Sequence, residues 1–239
     1  MGEGTVAEIV VINPEQLQAK PLAGQARIGQ VRTVAGYAAL TVAATALVAV
    51  GAHVTVPLFF TPVPITLQTL AVLFLGLSMG PRWAFATLSL YLLEGAAGLP
   101  VFSPFGPGGV MQLLGPTGGY LLAYPFAAAA AGFLYRLLSE RVVLRIGPRF
   151  APRFAPRFAL RFAGARLTAA AVSALVATML ILVAGAAWLG AWTHQPAPIV
   201  LAQGVIPFLP GDFLKACLAA AAVAAIHRVR RPATASSGD

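Results

Sequence analysis

The chain has 239 residues, 59% of them hydrophobic and only 10% charged. Soluble domains carry roughly 25% charged residues, so the composition excludes an ordinary water-soluble domain and points to lipid as the solvent. The net charge of +9 could suggest nucleic acid, but the Lys and Arg residues sit at the ends of apolar runs, the placement a membrane protein requires, and this argues against that partner.

Residues 1–30 read as a cytoplasmic tail. Met1 to Ala26 mixes Glu, Gln, Pro and Gly and lacks the basic start, short apolar core and small-residue site of a cleavable signal. From there to residue 229 the sequence holds six apolar runs, and a spanning helix needs about 20 mostly apolar residues. The first predicted span runs from about Val31 to Ala52 and is followed by the Pro-rich VPLFFTPVPIT. The second, about Leu67 to Met79, ends at the Gly80-Pro81-Arg82 turn, and the third covers about Trp83 to Gly98. LPVFSPFGPGGVMQLLGPTGG then forms a long Gly/Pro-rich loop. The fourth span covers about Tyr120 to Leu138, and a basic insertion fills about 141–166. The fifth covers about Leu167 to Trp192 and is broken by THQPAP; the sixth lies between Val205 and Ile226. Residues 230–239 read as a second cytoplasmic tail.

Six spans with both termini inside put every Lys and Arg except Lys215 on the cytoplasmic side, as the positive-inside rule demands. An odd number of spans would destroy that alternation. Phe59, Phe60, Trp188 and Trp192 then fall near the outer ends, where interface aromatics belong. The basic insertion contains the repeat RFAP, RFAP, RFAL, RFAG from Arg149 to Gly164. Pro152 and Pro156 remove helix hydrogen bonds, so the insertion reads as a loop held to anionic headgroups by Arg and Phe, with a cytoplasmic partner contact as the alternative. The small residues Ala35, Ala39 and Ala43 recur four apart in span one and permit close helix contact, inside the bundle or with a partner subunit.

The acidic residues sort like the basic ones, and only Glu94 and Asp212 lie away from the cytoplasmic segments. Glu94, Asp212 and Lys215 are therefore the formal charges of the outer half. Placing a charge in hydrocarbon costs about 3 kcal/mol even on the lenient insertion scale, so such residues face a cavity or pair with one another. Asp212 and Lys215 are three apart and share a helix face. They form either an ion pair that pins the helix or a divided site, with Lys215 meeting a substrate carboxylate and Asp212 accepting from substrate N–H groups. The Gly/Pro loops fall on the same side, and irregular backbone at membrane depth is tolerated where it lines a cavity. Cys217 reads as a small packing residue, and His53, His194 and His227 as interface residues rather than metal ligands. No nucleotide-binding loop, HExxH or GxSxG occurs, so an ATPase would have to be another chain.

TPVPITLQT (Thr61 to Thr69), GLPVF (Gly98 to Phe102), LLGPTGGYL (Leu113 to Leu121) and PFLPGDFLK (Pro207 to Lys215) stand in the order seen in the BioY family, the biotin-specific S components of energy-coupling-factor (ECF) transporters, which the chain resembles over about residues 31–229. The resemblance implies an all-α membrane protein: a six-helix S-component bundle with Gly/Pro-rich outer loops, in the plasma membrane. It implies biotin capture as the transported ligand, no cofactor and no enzymatic activity. Its partners would be a transmembrane coupling subunit and two cytoplasmic ATPase subunits. Asp212 and Lys215 match the family's binding Asp and Lys. Phe105, Gln112 and Tyr120 are the further expected binding residues, from the Gly-rich loop and its end. Glu94 falls outside the family pattern and is expected to be buried. A self-sufficient secondary transporter would need coupling-ion or proton-relay groups, and an intramembrane enzyme would need a paired acid/base or metal set. The sequence offers few of the former and none of the latter.

The charge asymmetry makes a topological prediction. Cysteines placed at Ser103 and Gln195 should react with an impermeant thiol reagent in intact cells, and one at Ser237 should not; labelling at Ser237 from outside would overturn the orientation.

Overall fold

The computed structural model describes the backbone of residues 23–146 and 155–229, and side chains over 36–141 and 164–226. Residues 1–22 of the expected tail 1–30, the expected tail 230–239 and the part of the repeat within 147–154 lie outside the described residues, while residues 23–30 already belong to the first helix. The helices are α1 (Ala23–His53), α2 (Gln68–Met79), α3 (Pro81–Ala96), α4 (Gly109–Leu114), α5 (Gly118–Ile146), α6 (Ala155–Thr193), α7 (Ala197–Gly204) and α8 (Leu209–Val229). Two short strands, β1 (Thr55–Val56) and β2 (Ile65–Thr66), pair antiparallel between α1 and α2. The chain divides into two units, Met1–Val42 and Ala43–Asp239. In the first, the Thr41 hydroxyl donates to the Tyr37 carbonyl one turn back.

The helix boundaries follow from local chemistry. Gly80 adopts φ 79°, a left-handed conformation that stops α2, and Pro81 opens α3 at the one helical position where a missing N–H costs nothing. α6 begins at Ala155 rather than near Leu167, so the second half of the basic repeat is helical. Pro156 lies in its first turn, where proline is tolerated. The last helix starts at Leu209 rather than Val205, because residues 205–208 form a turn. α4 and α7 are short helices inside segments expected to be irregular.

In the second unit the core is built on small residues. Ala127, Ala128 and Ala131 of α5, Ala170, Ala174 and Ala177 of α6, and Ala216, Ala219 and Ala220 of α8 are almost completely buried. α5 packs against α6, α3 and α2, and α8 against α6 and α2. Val172, Val176, Leu180 and Val183 of α6 and Phe213, Leu214 and Leu218 of α8 are exposed. A helix that is apolar all round belongs in lipid. Among the described residues four helices are long and apolar enough to cross a membrane: α1, α5, α6 and α8. α2 is apolar but has 12 residues, about 18 Å at 1.5 Å per residue, and α3 has 16.

Several expectations change at the level of side chains. Glu94 is half-buried rather than buried, and its Oε1 accepts from the buried Thr45 hydroxyl at 3.2 Å. Ala39 and Ala43 are exposed, and the Ala35 side chain lies outside the described residues. Ser103 is buried while Gln195 is exposed, so Gln195 is the informative outer labelling position.

The backbones of α2 and α5 approach closely at two glycines. A Cβ added at Gly76 would lie 2.6 Å from the Ala128 carbonyl oxygen, and one at Gly132 would lie 2.6 Å from the Gly76 carbonyl oxygen. Overpacking a dense interior costs about 1–3 kcal/mol. Gly76→Leu should therefore lower the thermal midpoint of the purified protein in detergent, whereas Gly164→Leu, at a position with nothing within 4 Å, should leave it unchanged.

Candidate functional site

Three helices and three connecting segments converge on one cavity of about 330 Å³. The start of α2 contributes Gln68 and Thr69, the start of α5 contributes Tyr120, Leu121 and Tyr124, and α8 contributes Asp212 and Lys215. The connections add Pro62, Val63 and Pro64 on one side, Ser103 to Pro107 on another, and Gly115-Pro116-Thr117 on a third. All five residues singled out in the sequence for substrate binding — Phe105, Gln112, Tyr120, Asp212 and Lys215 — line this space.

Asp212 and Lys215 stand one helical turn apart at the start of α8. The Lys215 Nζ donates to Asp212 Oδ1 at 2.7 Å, with the two residues 6% and 3% exposed. The same Oδ1 accepts the Thr69 hydroxyl from α2 at 3.3 Å. Oδ2 has no hydrogen-bond partner among the described residues, and Asp212 lines the cavity. Lys215 likewise keeps N–H donors beyond the one given to Asp212. The pair is thus satisfied internally and still offers one acceptor and spare donors to a ligand.

The other three side chains play different parts. Gln112 spends both ends of its amide on the loop before it: Oε1 accepts the Gly108 N–H at 3.2 Å, and Nε2 donates to the Ser103 carbonyl at 3.4 Å. The Gly106 backbone presses against that amide so closely that a Cβ there would lie 2.6 Å from it. Gln112 therefore shapes the wall formed by residues 103–108. Tyr120 donates its hydroxyl to the Gly204 carbonyl at 2.7 Å, and its ring fills the space left by Gly185 and Gly204. That leaves its ring edge and an oxygen lone pair for a ligand. Phe105 is 62% exposed and stands at the mouth.

Sequence reasoning missed three contributors. Gln68 is buried; its Nε2 donates to the Tyr91 hydroxyl at 2.6 Å, which donates in turn to the Val101 carbonyl at 2.8 Å. Thr69 was missed although it stands in a motif already singled out; the signal was a pair of polar residues at the head of an otherwise apolar helix. Trp188, expected near the outer membrane interface, is half-buried: its Nε1 donates to the Gly115 carbonyl at 2.8 Å, and a Cβ at Gly119 would overlap its side chain. It thereby ties the Gly115-Pro116-Thr117 wall to α6.

A family model described as the BioY family matches residues 23–232. The probable biotin transporter BioY of Pyrococcus horikoshii is 41% identical over 109 residues, which cover 43% of this chain and 65% of that protein. The biotin transporter BioY of Thermotoga maritima is 43% identical over 90 residues, 38% of this chain and 52% of that one. The chain thus spans about half to two thirds of the length of these relatives. The match to the biotin transporter BioY of Rhizobium etli is longer: 33% identity over 177 residues, 74% of this chain and 84% of the relative. In fold, the chain is similar to a crystallised S-component for biotin from an ECF-type ABC transporter, with a TM-score of 0.64 at 24% identity, covering 82% of this chain and 93% of that one. With a family match that runs through every helix walling the cavity, the chain belongs to the BioY family.

Proposed function

We propose that this chain captures biotin at the outer face of the plasma membrane, as the substrate-binding S subunit of an ECF transporter. The observation that carries the reading is the buried Asp212–Lys215 pair on the wall of the cavity, in a chain whose relatives carry the name biotin transporter. About 330 Å³ lies at the lower end of the roughly 300–1,000 Å³ range of small-molecule sites. The lining suits a molecule with a polar ring at one end and an apolar body. Energy would come from two cytoplasmic ATPase subunits through a transmembrane coupling subunit, and this chain would bind without converting its ligand. The exposed Ala39 and Ala43, with Ala35, form the proposed contact for the coupling subunit. α1, α2, α3, α5, α6 and α8 make six crossings with both termini in the cytoplasm. The short α2 is extended by the Pro-rich segment that lines the cavity.

The 2.7 Å contact bears on how biotin lies. Its carboxylate ends a flexible chain on the far side of the molecule from the ureido ring. Two groups bonded to each other meet one end of such a ligand, so the ureido ring is the proposed partner of both. Asp212 Oδ2 accepts a ureido N–H, and Lys215 donates to the ureido carbonyl. The alternative, with a spare Lys215 donor on the carboxylate, would bring that carboxylate close to the like-charged Asp212.

Removing one partner of a buried charged contact costs about 2–5 kcal/mol. At about 1.4 kcal/mol per tenfold change, Lys215→Ala and Asp212→Asn should each weaken biotin binding by well over tenfold, measured by titration of the purified protein in detergent. Biotin methyl ester, which keeps the ureido ring, should lose as much affinity as biotin in both variants. An ester that binds wild type poorly and loses little more in Lys215→Ala would instead place Lys215 on the carboxylate. Near-normal biotin affinity in folded Lys215→Ala protein would overturn the site.

The transport role is tested separately. Labelled biotin should accumulate in cells only when ATPase subunits are present with this chain. Undiminished uptake without them would mark a self-sufficient transporter.

A further inference from the structure

We propose that Thr69 is a positioning residue for the ligand-binding carboxylate, fixing which oxygen of Asp212 meets the ligand. The inference rests on the reading of Asp212 as the acceptor for the ureido ring, and goes beyond it by assigning a role to α2. Thr69 is 9% exposed and lies on the first turn of α2, across the cavity wall from α8. Its hydroxyl donates to Asp212 Oδ1, the oxygen that already takes the Lys215 ammonium. A carboxylate with one donor on Oδ1 can still rotate about its terminal torsion, which is broad and roughly two-fold. A second donor on the same oxygen, from a different helix, removes that freedom. Oδ2 is then left facing the cavity before any ligand arrives, and less ordering cost falls on binding.

The two helices are also in register for this contact through packing, because α2 and α8 lie against each other. Thr69 thus holds the acceptor in place without needing to touch the ligand itself. Both its methyl and its hydroxyl are buried, so the two contributions must be separated by substitution. Serine keeps the donor and drops the methyl, while valine keeps the shape and drops the donor.

The test is biotin titration of the full-length purified protein carrying Thr69→Val, Thr69→Ala, Thr69→Ser, Asp212→Asn or Thr69→Val with Asp212→Asn, each checked for folding by its thermal melt. A hydrogen bond to a charged group contributes about 1.5–3 kcal/mol, so Thr69→Val and Thr69→Ala should weaken binding by about tenfold or more. Thr69→Ser should stay within about threefold of wild type, since the donor survives. In the Asp212→Asn background the cost of Thr69→Val should shrink to about twofold or less, the non-additivity expected of residues in direct contact. Thr69→Ser as weak as Thr69→Val would overturn the proposal by making the role one of packing, and so would fully additive costs in the double substitution. Wild-type affinity in both Thr69→Val and Thr69→Ala, with binding lost in Asp212→Asn, would remove Thr69 and leave the biotin reading intact. If Asp212→Asn also binds like wild type, both fall.

Discussion

Charge at membrane depth has to be answered by charge, and the start of α8 is organised around that requirement. Asp212 and Lys215 are both nearly sealed from solvent. Removing either would strand the other, at a cost of about 3–5 kcal/mol. Their contact therefore fixes the first turn of α8 and ties it to α2 through Thr69. It also places the charged groups of the cavity wall beside the polar but uncharged Gln68, Thr69, Ser103 and Gln112.

Backbone that leaves helical geometry at this depth must find hydrogen-bond partners inside the protein, and the cavity walls show how it does so. The 103–108 segment is held by the Gln112 amide, the 115–117 segment by the Trp188 indole, and the end of α7 by the Tyr120 hydroxyl. In each case a glycine lets the aromatic ring or amide come close: Gly106 beside Gln112, Gly119 beside Trp188, and Gly185 and Gly204 around Tyr120. The high glycine content of these stretches is thus a matter of space as much as of turns. A Cβ at any of these positions would push apart a side chain and the backbone group it satisfies.

Much of this was legible in the sequence for a simple reason. Apolar runs and basic flanks are physical requirements of a bilayer, and each of the six predicted runs lies largely in helix. The Asp212–Lys215 pair stood out because charge is scarce there, and its partnership followed from helical spacing. Elements that rest on tertiary context were not legible. α4 and α7 are short helices in Gly- and Pro-rich sequence, where local signals favour turns. Trp188 looked like an interface anchor because its position near a helix end is the same in either role; only the Gly115 carbonyl distinguishes them. Gln112 was picked as a ligand contact from its place in the loop. It lines the cavity, and its amide also holds backbone groups, which no spacing rule foretells. Thr69 was hidden in an apolar run, since a threonine on a membrane helix usually bonds its own backbone, as Ser173 and Thr178 do here.

The self-satisfaction of the pair also constrains what the site can prefer. A carboxylate and an ammonium 2.7 Å apart are close to neutral as a unit. An anionic group brought to Lys215 would face Asp212 as well, so Coulomb attraction to one is offset by repulsion from the other. It would also have to compete with Asp212 for the ammonium donors. A neutral group that both donates and accepts meets neither obstacle: it can give an N–H to the open Oδ2 and take a hydrogen bond from the spare Lys215 donors while the ion pair stays intact. Charge-assisted hydrogen bonds of this kind are roughly twice as strong as neutral ones. Low dielectric strengthens them further once solvent is excluded. A cyclic urea has this complement of groups in a rigid plane. In the proposed reading the pair would therefore take the ureido end of the ligand and leave its carboxylate toward the exposed Phe105.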